Sequence, residues 1–433
     1  MGARTAWPGK GRPPLAVAVL VVVLLGVGAV PRPGAASTPP PTPVPPNGSP
    51  SPFPTALHTP RPSFEPPKLT SPSVVLEDLS TGQVLYAKNA NVRRPIASIT
   101  KIMTALVVLA ESSPGETAVV SARAARTRAV ELGLVVGERI SVKQLLYALL
   151  MQSSNDAAVA LAEHVAGSVT GFVDLMNRRA AELGMDRTRF RDPAGLDDRG
   201  YSTARDVAAL AQEAYTQPLF ERITRTKFHK IPARSGPDRR IQNRNILLWL
   251  YPGAIGVKTG FTTPAQHCLV AAADRNGNRL VAVGLGSRGD DAAGVFDDGA
   301  ALLNYGYEAF QRVVLVARGQ ILGQVTVEGQ RVQAVAAEQL VQLVRRDNVP
   351  RVLRAFLPDG GLFLPVVAGQ RVGEELILVA GKRVGSVEAV SPDTVFRPIP
   401  GTSPPPRARA PSSLAAALSL LAVLVKSLFK AFL

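Results

Sequence analysis

Proline limits where this chain can build a core. Of its 37 prolines, 15 fall between residues 31 and 70, with Ser and Thr between them. Proline fixes φ and lacks a backbone N–H, so such a stretch cannot pack as helix or sheet. It reads as an extended tether. Pro404, Pro405, Pro406 and Pro411 make a second, shorter one. The sequence between them is long enough for two folded units, and with 46 % hydrophobic residues in the whole chain it can bury sizeable cores.

Outside the tethers lie two apolar segments of different kinds. Arg4, Lys10 and Arg12 precede Leu15 to Val30, which carry no charge, and Gly34-Ala35-Ala36 follows. Basic start, short apolar run and small residues are the order of a secretory signal. The run is short for a membrane span, which needs about 20 apolar residues. Near the other end, Leu414 to Leu433 is apolar except for a few residues, and Ser419, Lys426 and Lys430 share one helical stripe. Such a helix lies in a membrane interface. The formal net charge of +16 and pI of about 10.4 suit an anionic partner. The charge is either a solvated basic surface or an attraction to such a partner; the export-like termini argue against nucleic acid and for a lipid surface or wall polymer. Cys268 is the only cysteine, so no internal disulfide forms, and the four histidines make no HExxH pattern. No metal and no cofactor are expected.

The first unit, residues 71–305, opens with two strand patterns, Val74-Val75-Leu76 and Val84-Leu85-Tyr86, joined through Ser80-Thr81-Gly82. Helical patterns follow after Pro95, from Val142 to Leu150, Ala157 to Val165, Phe172 to Leu183 and Arg205 to Tyr215. Strands return at Gly256 to Gly260, Cys268 to Ala273 and Leu280 to Leu285. Strands at both ends with helices between predict an α+β fold, one antiparallel sheet whose neighbours come from opposite ends of the segment.

Three short motifs carry chemistry. In Ser98-Ile99-Thr100-Lys101 the serine and lysine are three apart, so on a helix the amine reaches the hydroxyl. A serine needs a base to become a nucleophile, and a lysine serves once burial or a nearby cation lowers its pKa. Alone the motif is weak: Ser427-Leu428-Phe429-Lys430 repeats it in the apolar tail. Ser153-Ser154-Asn155 stands before a helix, where Ser and Asn also serve as caps. Lys258-Thr259-Gly260 sits on a strand. It is either an ordinary strand end or a cation and hydroxyl offered to a carboxylate, with Gly260 letting a substrate backbone approach. The order of the three is what carries weight, because it is the set found in penicillin-binding proteins and class A β-lactamases.

With these motifs and their surroundings, residues from about 71 to 400 resemble the low-molecular-weight D-alanyl-D-alanine carboxypeptidases. Pro95 to Thr104, Ser153 to Ala157, Met176-Asn177, Leu183-Gly184-Met185, Phe190 to Leu196 and Gly256 to Thr262 all resemble stretches of that family. The resemblance implies a β-lactamase-like antiparallel sheet flanked by helices, then a small all-β domain, here 306–398. Leu362 to Val367 and Gly369 to Gly373 resemble that domain's late hairpins. The whole chain then reads as signal peptide 1–36, linker 37–70, catalytic domain 71–305, β-sandwich 306–398, linker 399–411 and amphipathic anchoring helix 412–433. It would work outside the cytoplasm, attached to the outer face of the cytoplasmic membrane.

The same resemblance implies the chemistry. Ser98 attacks the penultimate D-alanine carbonyl of a wall stem peptide, and Lys101 takes its proton, kept neutral by Lys258 nearby. Ser153 passes a proton to the leaving amine. Asn155 orients Lys101 and bonds the substrate amide. Lys258 and Thr259 hold the terminal carboxylate, while the backbone N–H groups of Ser98 and Phe261 form the oxyanion hole beside Gly260. A β-lactam enters the same site. Two departures stand out: Phe261 where His or Tyr is usual, and Gln266 where glycine is common. Rivals are a β-lactamase, which the β domain and the missing ExxLN segment oppose, a D,D-endopeptidase on cross-links, whose relatives commonly lack the β domain, and a non-catalytic wall-binding scaffold.

Overall fold

The computed structural model describes residues 65–398 apart from 233–236 and 290–291. The segments read as signal and anchoring helix, residues 1–36 and 412–433, and the linker 399–411 lie outside the described residues. Strands β1 (Ser73–Asp78) and β2 (Val84–Lys88) form a hairpin. The chain then leaves the sheet for a helical layer: α1 (Lys101–Glu111), α2 (Val142–Tyr147), α3 (Asn155–Ala166), α4 (Val169–Glu182) and α5 (Ala204–Ala214). It returns as β3 (Ala254–Thr262), β4 (Gln266–Arg275) and β5 (Asn278–Ser287). All pairings are antiparallel and the order is β2-β1-β5-β4-β3, so the first strand pairs with the last, as the sequence predicts. β3 closes one edge of this sheet.

Alternation along the strands divides two cores. Val75, Val257, Val270 and Val283 pack against the helical layer, while Val74, Leu76, Leu269 and Leu280 face the other side. A helix that the sequence reading did not mark, α6 (Ala293–Ala309), covers that second face through Val295, Phe296, Leu302 and Leu303. Thr70, the last residue of the stretch read as tether, is already held: its N–H and hydroxyl, with Ser71 N–H, donate to the buried Asp298 carboxylate at 2.7–2.9 Å.

Two helical expectations change in detail. The pattern after Pro95 begins as a 3-10 turn, Ala97–Thr100, before α1. The pattern from Val142 ends as α2 at Tyr147 and continues as a π-helical turn, Ala148–Gln152. Both irregular turns lead into motif residues.

Beyond α6, β6 (Phe310–Val316), β7 (Ile321–Val327), β8 (Gln330–Ala336), β9 (Leu340–Arg345), β10 (Val352–Pro358), β11 (Arg371–Val379) and β12 (Lys382–Val390) form an all-β region. Its five-stranded sheet has the order β7-β8-β12-β11-β10, and β6 pairs with β9. The amide side chain of Gln83 exchanges two hydrogen bonds with the Leu343 backbone (2.8 and 2.9 Å), tying the first hairpin to β9. Among the described residues no single helix is long and apolar enough to cross a membrane.

Candidate active site

The 3-10 turn places Ser98 so that its hydroxyl accepts from the Lys101 amine at 2.8 Å. Lys101 opens α1 and is wholly buried. The same amine donates to the Ala194 carbonyl at 2.6 Å. That carbonyl is aimed by Asp192, whose carboxylate accepts from the N–H groups of Ala194, Gly195, Leu196 and Asp197. The loop lies tight on the turn: a Cβ at Gly195 would stand 1.9 Å from the Ala97 carbonyl oxygen. Only glycine fits there.

Burial lowers the Lys101 pKa to about 7, with Asp192 opposing and the Arg244 guanidinium helping. The amine is therefore neutral in a large fraction of molecules near pH 7. The chief cause differs from the expected repulsion by Lys258. Lys258, itself buried on β3, is lowered well below the ordinary lysine range, first by burial and then by Lys101 and Arg244. Its amine donates to the Thr259 carbonyl at 2.8 Å.

The π-helical turn delivers Ser153 in a left-handed conformation (φ 69°), with its side chain 4 % exposed at the cleft wall. π turns of this kind gather at functional sites. Ser154 holds the cap position of α3 but makes no capping bond, and its hydroxyl is buried without a partner. The cap reading of this motif thus fails for its side chains. Asn155 donates to the Arg128 carbonyl at 2.9 Å, anchoring the loop before it; Lys101 gets its orienting bond from Ala194 instead.

Ser98, Ser153, Thr259, Gly260 and Phe261 line one cleft of about 430 Å³. A Cβ at Gly260 would sit 3.0 Å from the Ile96 carbonyl and 3.1 Å from the Ser98 nitrogen, so β3 presses its backbone onto the nucleophile's turn. Phe261 is 56 % exposed, and its ring lies 4.6 Å from that of His267, its cross-strand partner on β4. The imidazole absent at position 261 is thus present in the same cleft, carried by the neighbouring strand.

Two groups of the site, one lining the cleft and one behind it, escaped sequence reasoning. Arg244 follows a short hairpin (Phe228–Ile231 with Arg239–Gln242), belongs to no motif, and adds a cation at the cleft mouth. The Ala194 carbonyl is backbone, which no side-chain pattern announces. A neutral base on a serine, with cations and backbone donors around it, can attack a carbonyl next to a carboxylate.

Residues 61–289 match the family model described as D-alanyl-D-alanine carboxypeptidase. The chain belongs to that family. D-alanyl-D-alanine carboxypeptidase DacF of Bacillus subtilis is 33 % identical over 332 residues, 74 % of this chain and 83 % of that one. A D-alanyl-D-alanine endopeptidase of Escherichia coli is 36 % identical over 209 residues, 47 % of this chain and 67 % of that one. Among solved structures, penicillin binding protein 5 from Haemophilus influenzae superposes with a TM-score of 0.66 at 28 % identity, covering 77 % of this chain and 99 % of its own. The carboxypeptidase fold, antiparallel sheet with helices and then a β domain, is that of this chain.

Proposed function

We propose that Ser98 is the nucleophile of a serine-type D-alanyl-D-alanine carboxypeptidase that removes the terminal D-alanine from peptidoglycan stem pentapeptides. The observation that carries this assignment is the Lys101 amine, buried, lowered to about 7 and 2.8 Å from the Ser98 oxygen. Lys101 takes the Ser98 proton as the oxygen bonds to the penultimate carbonyl carbon. Ser153, in the same cleft, returns a proton to the D-alanine nitrogen as the C–N bond breaks. Water then cleaves the ester and frees Ser98. Thr259, Lys258 and Arg244 supply hydroxyl and positive charge for the terminal carboxylate. The backbone N–H groups of Ser98 and Phe261, beside Gly260, receive the oxyanion; one such donor is worth about 3 kcal/mol in other enzymes. Asn155 supports the cleft loop through the Arg128 carbonyl, and the family resemblance assigns it the substrate amide. A β-lactam amide would acylate Ser98 by the same route and leave slowly.

The carboxypeptidase reading is favoured over a cross-link endopeptidase by coverage: the carboxypeptidase relative spans 74 % of the chain, the endopeptidase 47 %. We read 71–305 as the catalytic domain and 306–398 as a spacer. The signal-like 1–36 and the basic-striped 412–433 support export and attachment to the outer face of the cytoplasmic membrane.

The test is free D-alanine released from a synthetic pentapeptide by the full chain, beside Ser98→Ala. Release by wild type alone supports the assignment. Release by both removes Ser98 as nucleophile. Release by neither, with a covalent penicillin adduct on wild type, moves the substrate to a cross-link.

A further inference from the structure

The β region carries an outward apolar face that catalysis does not use. Val366 and Val395 exchange backbone hydrogen bonds of 3.0 and 2.8 Å. The Glu328 carboxylate accepts from both Leu364 N–H and the Arg397 guanidinium. Segments 363–367 and 395–397 therefore run side by side. Burial alternates along 363–367. Leu364 and Val366 point inward and are buried in the small core, whereas Phe363, Pro365 and Val367 point out. Antiparallel pairing of Val366 with Val395 sets Phe396 opposite Pro365, and both are exposed. Phe363 is 70 % exposed, Phe396 69 % and Val367 50 %. Single exposed apolar residues are ordinary, but two phenylalanines and a valine gathered on one face call for a partner.

The chain itself points to that partner. Beyond Phe396 and Pro398, fifteen residues (399–413) lead to the apolar stretch that starts at Leu414. Fully extended, that link spans at most on the order of 50 Å. A tail lying in a bilayer interface thus keeps this face within reach of the same bilayer. Aromatic rings favour the interface between headgroups and acyl chains. One amphipathic helix binds reversibly, and a second attachment on the same molecule acts at high effective concentration.

We propose that the face formed by Phe363, Pro365, Val367 and Phe396 docks on a lipid bilayer, its rings entering the headgroup region beside the tail. This rests on the membrane reading of 412–433. The test uses the full chain and vesicles of equal parts phosphatidylcholine and phosphatidylglycerol. Phe363→Ser with Phe396→Ser is expected to lose about tenfold or more in vesicle affinity, as exposed rings that enter the interface should. D-alanine release from a soluble peptide should stay unchanged. In a second variant, Phe363→Trp, the indole should shift to the blue and be quenched by brominated lipid only when vesicles are present. Wild-type affinity in the double variant with an unquenched indole overturns the proposal. If Lys426→Glu with Lys430→Glu then abolishes binding, the tail anchors alone and only its own reading survives. An indole already shifted without vesicles also overturns it, since the face would then be covered by the chain itself. Vesicle binding by neither wild type nor variants removes both readings.

Discussion

The catalytic and β regions treat charge in opposite ways. The first buries Lys101, Lys258, Glu77, Asp156 and Asp298, each under 5 % exposed. Among the described residues from 310 onward, Glu375 is the only buried charged side chain. Ion pairs there, such as Arg345–Asp347, Arg371–Asp359 and Arg397–Glu328, lie at the surface. Buried charges are costly unless they are paired or neutralised. A region that keeps several is using them, either to shift a pKa or to organise loops, as Asp156 does by accepting from the N–H groups of Leu132, Gly133 and Leu134. A region with only one is held mainly by apolar packing and strand pairing, as a spacer can be.

The contrast can be broken at several points. Ser98→Ala should lower D-alanine release by about ten-thousandfold or more, with Tm unchanged; a lesser loss would mean another nucleophile. Gly260→Ala should cost about one hundredfold in kcat/KM, because the added Cβ pushes on Ser98 N and Ile96 O. Circular dichroism should show that variant still folded.

The pH profile is a sharper probe. Lys101 must be neutral to accept a proton, so kcat/KM should rise with pH through about 7. Lys258 must be charged to meet a carboxylate, and its burial works against that charge until a carboxylate arrives. Arg244→Ala removes a cation that lowers Lys101, so the acid limb should move to higher pH while KM rises. An unmoved limb would take Arg244 out of the electrostatics.

Glu77 offers a stability test. Burial raises its pKa from 4.5 to about 7, against the opposing Arg205. The fold therefore favours its protonated form, and its contribution is lost as pH rises from about 4.5 through 7. Glu77→Gln should raise Tm at pH 8, with the gain fading toward pH 4.5. At the small end, Arg397→Ala in the β region should leave Tm and turnover unchanged within measurement, as exposed pairs contribute little.

Much of this was legible in the sequence. β1 and β5 were readable as Val-rich runs, and the motif order led to the family whose model the chain matches. What escaped has physical reasons. α6 contains Gly294, Gly299 and Gly306, which weaken a helical pattern, and its helicity comes from packing on the sheet. The base is lowered mainly by burial, a property of the fold and not of neighbours in sequence. His267 reaches the cleft through strand register, Arg244 from the loop after a hairpin, where its backbone N–H donates to the Met151 carbonyl, and the Ala194 carbonyl meets Lys101 through a loop that Asp192 shapes.

β3 lies at the end of its sheet, with Thr259 and Gly260 facing the cleft from that strand. An edge strand offers a row of backbone donors and acceptors to any extended chain laid beside it. A guest held in this way is judged by its handedness, its straightness and where it stops, while its side chains project away from the row. Such a site can serve wall precursors that differ in their middle residues, so long as their last two keep the same main-chain shape.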